Sequence, residues 1–248
     1  MKRKASKRPD SRPRHPSRAR VSESAGWTTW VEPHPGTPEG RTAERQYRAG
    51  LISSNRIEEA AKRLFAQKGY EGTAIRDITF AAEVNVGAVT YHFGTKRELY
   101  NRILSACTGP FGRQIQIASQ LTDRPALERI ERLVRFFFDH VRKHPEMVPL
   151  MVREMASEHE LASPIQAMVK HAIPEVAQIV AAGQREGTIR PGDPLLLALS
   201  SLAQPVYLNL ARKGIAAAAG LDPNDPAVFD RVVDHCVTTV HAALERRP

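Results

Sequence analysis

The stretch from Thr73 to Lys96, TAIRDITFAAEVNVGAVTYHFGTK, gathers the side chains of this 248-residue chain whose types and spacing point to one chemistry. The hydroxyls of Thr73 and Tyr91, the imidazole of His92 and the ammonium of Lys96 suit phosphate oxygens. Main-chain N–H groups where a helix starts near Lys96 would add to them. Between these groups lies a small, uncharged set: Asn85, Val86, Gly87, Ala88 and Thr90. Asn85 and Thr90 can hydrogen-bond to base edges, and Val86 or Ala88 can touch thymine methyls. The set holds no Arg or Lys to grip a guanine bidentately. The same residues also suit short helices that merely pack, and spacing alone leaves both readings open.

The elements that must position these groups are helical. Ile57, Ala60, Ala61, Leu64 and Phe65 recur at helical spacing, and Gly69 ends that helix as a C-terminal glycine on which Tyr70 can fold back. Thr73 is read as the cap of a second helix bearing Ile75, Ile78 and Ala82. Asn85 is read as the cap of a third, over about 86–92. Thr95-Lys96-Arg97-Glu98 has the form of a capping box and opens a fourth. Ile75, Ile78, Ala82, Val84 and Val89 would hold the second and third helices together as a helix-turn-helix over 74–93, whose later member fits the DNA major groove.

Further along, an apolar stripe from Leu127 to Val141, a short helix after Pro145, a longer one over 164–185 with a kink at Pro174, and two last helices over 194–213 and 226–246 complete an all-α chain. Three segments are expected. Residues 1–48 form a disordered Arg/Pro-rich tail, 49–107 a three-helix helix-turn-helix domain, and 108–248 a larger helical domain. Net charge is +9, yet residues 1–20 alone carry nine Lys or Arg against Asp10, so the basic balance is mostly a property of the tail.

Several classes are disfavoured. The longest apolar run found, Ile215 to Leu221, is too short to span a bilayer, and no apolar stretch follows the basic N-terminus as in a secretory leader. Cys107 and Cys236 have no CxxC spacing, which suits a reducing cytoplasm. There is no GxSxG, P-loop or HExxH, so neither an enzyme nor a cofactor is expected. His140 and His144, four residues apart, leave a metal-responsive alternative open, as the tail leaves an architectural DNA-coating one.

The run from Ile57 to Leu104 resembles the DNA-binding domain of the tetracycline-repressor (TetR/AcrR) family, through AAKRLFAQKGY at 60–70, TAIRDI at 73–78 and YHFGTKREL at 91–99. The resemblance implies phosphate contacts from Thr73, Tyr91, His92 and Lys96, base or groove contacts from Asn85 through Thr90, and core positions for Phe65, Ile78 and Phe93. This chain departs from the family at Glu83, where Gly is usual and where a strained backbone must be tolerated. It departs again at Phe80, a usually polar, exposed position, and at Val86 and Thr90. The resemblance further implies a homodimer through the last two helices, burying Leu199, Leu202, Val206, Val232, Val233, Val237 and Val240. It implies palindromic double-stranded operator DNA as partner, repression as the commoner mode, and a small, largely apolar effector. The pocket residues expected are Phe137, His140, Met147, Met151, Met155, Met168, Gln204 and Tyr207.

Overall fold

The structure, a computed structural model, describes residues 38–220, 222 and 225–246. The chain divides into Met1–Arg48 and Ala49–Pro248. Residues 1–37, which hold most of the expected tail, lie outside the described residues. Residues 38–48 correct the tail's boundary, because they are already helical at the start of α1 (Pro38–Lys68). Glu44 and Arg48 pair there at 2.6 Å across one turn, an arrangement that supports helix in a segment with little to bury.

Ten α-helices follow in order among the described residues. After α1 come α2 (Ile75–Ala82), α3 (Gly87–Phe93), α4 (Lys96–Gln120), α5 (Ala126–Lys143), α6 (Met147–Met155) and α7 (Ser163–Ala167). A π-turn at Met168–Ala172 joins α7 to α8 (Ile173–Glu186). The last two are α9 (Pro194–Ala219) and α10 (Pro226–Leu244). The only β feature among the described residues is an isolated bridge between Ile189 and Glu245, so the fold is all-α as expected.

Local chemistry sets most boundaries. Gly69, at φ +76°, ends α1, and its N–H bonds to the Phe65 carbonyl at 2.9 Å. The capping box at the start of α4 forms in full: Thr95 Oγ1 accepts from the Glu98 N–H at 3.1 Å, and Glu98 Oε2 accepts from the Thr95 N–H at 2.7 Å. Asp193 and Asp225 cap α9 and α10, each followed by proline in the first turn.

Tertiary packing overrides sequence breakers in two places. α4 continues through Gly109-Pro110 and Gly112 to Gln120, with Ile115 and Ala118 buried against the core. Its last carbonyls are held by buried Arg129 of α5, whose guanidinium donates to Ala118 O at 2.6 Å and Ser119 O at 2.7 Å. The kink expected at Pro174 appears as the π-turn just before it. Because α4 is unbroken across position 107, the small and large helical parts share one hydrophobic core rather than being joined by a linker.

α9 revises the expectation about apolar length. It is long and apolar enough, by length and composition, to cross a membrane. The reading missed this because Ser, Gln and Asn interrupt its apolar residues. In the fold it packs on α8 and α10, and it leaves Leu195, Leu196, Leu199, Tyr207 and Leu210 exposed.

Candidate functional site

The first candidate surface is built on α2 and α3. Ile78, Ala82 and Val89 are buried between the two helices, with Ile75 and Val84 packed beside them, and Phe65 and Phe93 close the core beneath. The turn joining them passes through Glu83 at φ 53°, ψ 47°, the one non-glycine residue with positive φ among those described. The backbone expected to be strained at this departure is therefore left-handed. Arg56 of α1 forms an ion pair with Glu83 and neutralises it. The N-cap position of α3 falls at Val86, one residue later than expected and with no side-chain cap, while Asn85 Oδ1 accepts from the Ala88 N–H at 2.9 Å, so the Asn85 amide N–H groups stay available to a ligand.

On the outer side, Asn85, Val86, Gly87, Thr90 and Tyr91 are exposed, Tyr91 by 72%, and Ala88 and His92 are half-buried. Phe80 is 87% exposed, as its position implied. His92 is held edge-on between Tyr91 and Phe93, with ring centroids 4.9 and 6.1 Å away. Lys96 Nζ sits 4.2 Å from the Tyr70 ring centroid and the Arg97 guanidinium 4.0 Å from it, two cations held on one aromatic ring beside the surface. Gly94, at φ +77°, makes the sharp turn that brings the capped N-terminus of α4 next to His92.

Thr73 is corrected. It is fully buried, and its hydroxyl donates back to Gly69 O at 2.7 Å and lies 3.3 Å from Leu64 O, so it secures the end of α1. The N-cap position of α2 belongs to Ala74, with no side-chain cap. A hydroxyl so placed cannot reach a phosphate.

The second candidate surface is a cavity of about 490 Å³ among α4 to α9. Phe137, Met147, Met151, Met155, Met168 and Tyr207 line it as expected. Two expected residues do not. His140 is buried with Nε2 3.0 Å from the Cys107 carbonyl, and its ring stacks on Phe136. Gln204 is half-buried on α9, away from the wall. His140 and His144 touch at 4.6 Å between centroids, but no group of three metal-ligating side chains occurs among the described residues. The sequence reading missed the α4 contribution (Thr108, Phe111 and Ile115) and most of that of α9, including Leu199, Ala203 and Leu210. The heptad-like apolar spacing of α9 was the available signal.

One helix touches both surfaces. On α6, Met147, Met151 and Met155 recur every four residues along the cavity wall. Arg153, from the same helix, donates to the Ala66 and Gln67 carbonyls at 3.0 and 3.1 Å, at the C-terminal end of α1. Neighbouring Glu154 is buried and accepts from Tyr100 Oη at 2.8 Å and from the Ala162 N–H at 2.5 Å. Burial, and then this hydrogen bond, push the Tyr100 phenol well above its ordinary pKa, so it stays a donor. Tyr100 in turn packs on Phe65 and Tyr70, with ring centroids 4.9 and 5.0 Å away. Nothing in the sequence pattern singled out Arg153 or Glu154.

A three-helix unit with a tight left-handed turn and an exposed third helix, joined to a helical body with a cavity, defines a helix-turn-helix DNA-binding regulator. Comparisons with known proteins agree. Residues 57–103 match the family described as bacterial regulatory proteins, tetR family, and residues 127–240 match the tetracyclin repressor-like C-terminal domain. The chain belongs to the tetracycline-repressor family of transcription regulators. It is similar to the transcriptional repressor NicS of Pseudomonas putida, at 27% identity over 60% of this chain and 71% of NicS. It is also similar to the regulator RutR of Escherichia coli K12, at 24% identity over 79% and 92%. Among solved structures it shares the fold of the ketosteroid regulator KstR2 of Mycobacterium tuberculosis (TM-score 0.65, 20% identity, 78% of this chain and 95% of that one). The fold is shared too with AibR in complex with isovaleryl coenzyme A and operator DNA (TM-score 0.63, 22% identity, 76% and 98%).

Proposed function

We propose that the protein is a ligand-responsive repressor in the cytoplasm, which binds a palindromic operator as a homodimer and leaves it when a small apolar effector fills the cavity. Residues 49–107 act as the DNA-binding part and residues 108–248 as the sensor and dimer part. The observation that carries this reading is α6, with methionines on the cavity and Arg153 on the end of α1. A ligand that shifts α6 changes the seating of the DNA-binding helices, and its differential affinity for the two arrangements sets the loss of operator affinity.

Tyr91, His92 and Lys96 hold phosphates, while Asn85, Val86, Gly87, Ala88 and Thr90 face the bases. With no arginine on that face, methyl contacts and DNA shape supply much of the specificity. The dimer forms through α9 and α10, with α9 giving the apolar contact through Leu195, Leu196, Leu199, Tyr207 and Leu210. Val233, Val237 and Val240 are removed from the expected interface, because α10 turns them into the chain's own core. Two recognition helices about 34–36 Å apart then read half-sites one DNA turn apart.

The test is selection of bound sequences from random DNA, followed by titration of variants against the winning site. Lys96→Ala and His92→Ala should each weaken binding to all sites alike, with Lys96→Ala lowering the salt slope by about 1. Unchanged binding by both would refute the interface. Removing residues 1–37 should leave site-specific binding in place. Loss of nearly all binding would favour the architectural alternative.

A further inference from the structure

The reading of the cavity as the effector site raises a narrower question, namely what chemistry its wall accepts, and the inference here rests on that reading. The wall carries no Asp, Glu, Lys, Arg, His, Asn or Gln. Its two polar side chains are Thr108 and Tyr207. Thr108 Oγ1 donates its proton to the Leu104 carbonyl at 2.9 Å, which leaves the cavity only a lone pair. Tyr207 is 66% exposed and stands at the rim. The nearest buried polar groups are turned away: His140 onto the Cys107 carbonyl, and Glu154 onto Tyr100 and Ala162.

Pro205 of α9 stands on the wall and lacks an N–H, and the π-turn at Met168–Ala172 interrupts the helical ladder on the same wall. A cavity of about 490 Å³ holds a drug-sized molecule. An ionised carboxylate buried in it would find no cation, and the one free side-chain donor, Tyr207, stands out at the rim, so such burial is strongly disfavoured. A hydroxyl would find the free lone pair of Thr108 Oγ1.

We propose that the cavity takes an uncharged, hydrocarbon-rich molecule whose polar group is a hydroxyl, and that it rejects the matching carboxylate. The test uses the full chain and two matched pairs, 1-dodecanol with dodecanoate and 4-phenylphenol with 4-phenylbenzoate, measured by calorimetric titration at pH 8. In at least one pair the alcohol or phenol should bind, and there its affinity should exceed that of the carboxylate by about tenfold or more. Carboxylate affinity should then rise as pH falls and the neutral acid becomes available.

Ala203→Trp and Ala156→Trp, at exposed positions on the cavity wall outside the proposed dimer contact, should abolish binding while leaving the helical circular dichroism spectrum intact. A carboxylate that binds as tightly as its partner at pH 8, yet is blocked by both tryptophans, overturns the proposed chemistry and leaves the cavity reading standing. Binding that survives both tryptophans overturns the cavity reading itself. If neither alcohol nor phenol binds, the proposal fails.

Discussion

The helix-turn-helix surface and the cavity, in the proposed function both meeting places for another molecule, are built by opposite means. On α2 to α4 several polar groups are fixed by a named partner: Asn85 on Ala88, Thr95 with Glu98, Glu83 with Arg56, and Lys96 over Tyr70. The side chains beneath are fully packed, with Phe65 and Ile78 at 0% exposure. Around the cavity polar partners are scarce, the side chains are apolar but for Thr108 and Tyr207, and the helical hydrogen-bond ladders lack an N–H at Pro110 and Pro205 and change to a π-turn at Met168–Ala172. A surface that must match a repeating, charged polymer gains from rigidity. One that must admit and release a small molecule gains from loosely determined walls.

The sharpest way to break this contrast is to remove comparable apolar side chains from each side. Phe65→Ala should cost about 3–5 kcal/mol of stability in denaturant titration, as expected where a large side chain leaves an unfilled hole. Met151→Ala should cost about 1 kcal/mol or less, because Met151 already faces empty space. Equal losses would mean that the cavity is a packed core.

A smaller effect is expected at the turn. Glu83→Gly removes a left-handed non-glycine conformation worth about 1 kcal/mol and loses an exposed ion pair worth less. Melting should therefore shift upward, and operator affinity should rise severalfold as a negative charge leaves the surface and Arg56 is released. A lower melting temperature would show that the Arg56 pair outweighs the strain.

The smallest effect concerns His140. Desolvation lowers its pKa below 6.5, more than the Cys107 carbonyl raises it, and His144 lowers it further. The unfolded chain therefore binds a proton more readily than the folded one. This contribution to stability is complete above about pH 6.5 and is lost as pH falls from there through the folded value. His140→Gln should flatten the fall in melting temperature between pH 7.5 and 5.5, and an unaltered slope would place its origin elsewhere.

The two surfaces were also unequally legible in the sequence. The DNA-facing unit could be read because its local requirements are strict: a glycine after α1, a reciprocal Thr95/Glu98 cap, and an Asn before α3. Thr73 was misplaced by one position, since a hydroxyl beside a helix start looks like a cap until the end of the preceding helix is seen to claim it. Around the cavity, helical spacing identified a face but not what the face meets. His140 lies three residues from Phe137, yet one contacts a carbonyl and the other the void. Val233, Val237 and Val240 likewise form a stripe whose inward direction no pattern on α10 reveals. α4 runs past Gly109-Pro110 to Gln120, where its last carbonyls are held by Arg129 of the next helix, a partner no spacing within α4 reveals.

The row of methionines on α6 also bears on selectivity. Unbranched thioethers change rotamer at little cost and fit many outlines. Charge, by contrast, is judged harshly by a wall with nothing to answer it. In the proposed function, a sensor made this way sorts molecules by polarity before shape, so what it reports to the promoter is the presence of a kind of compound rather than of any single one.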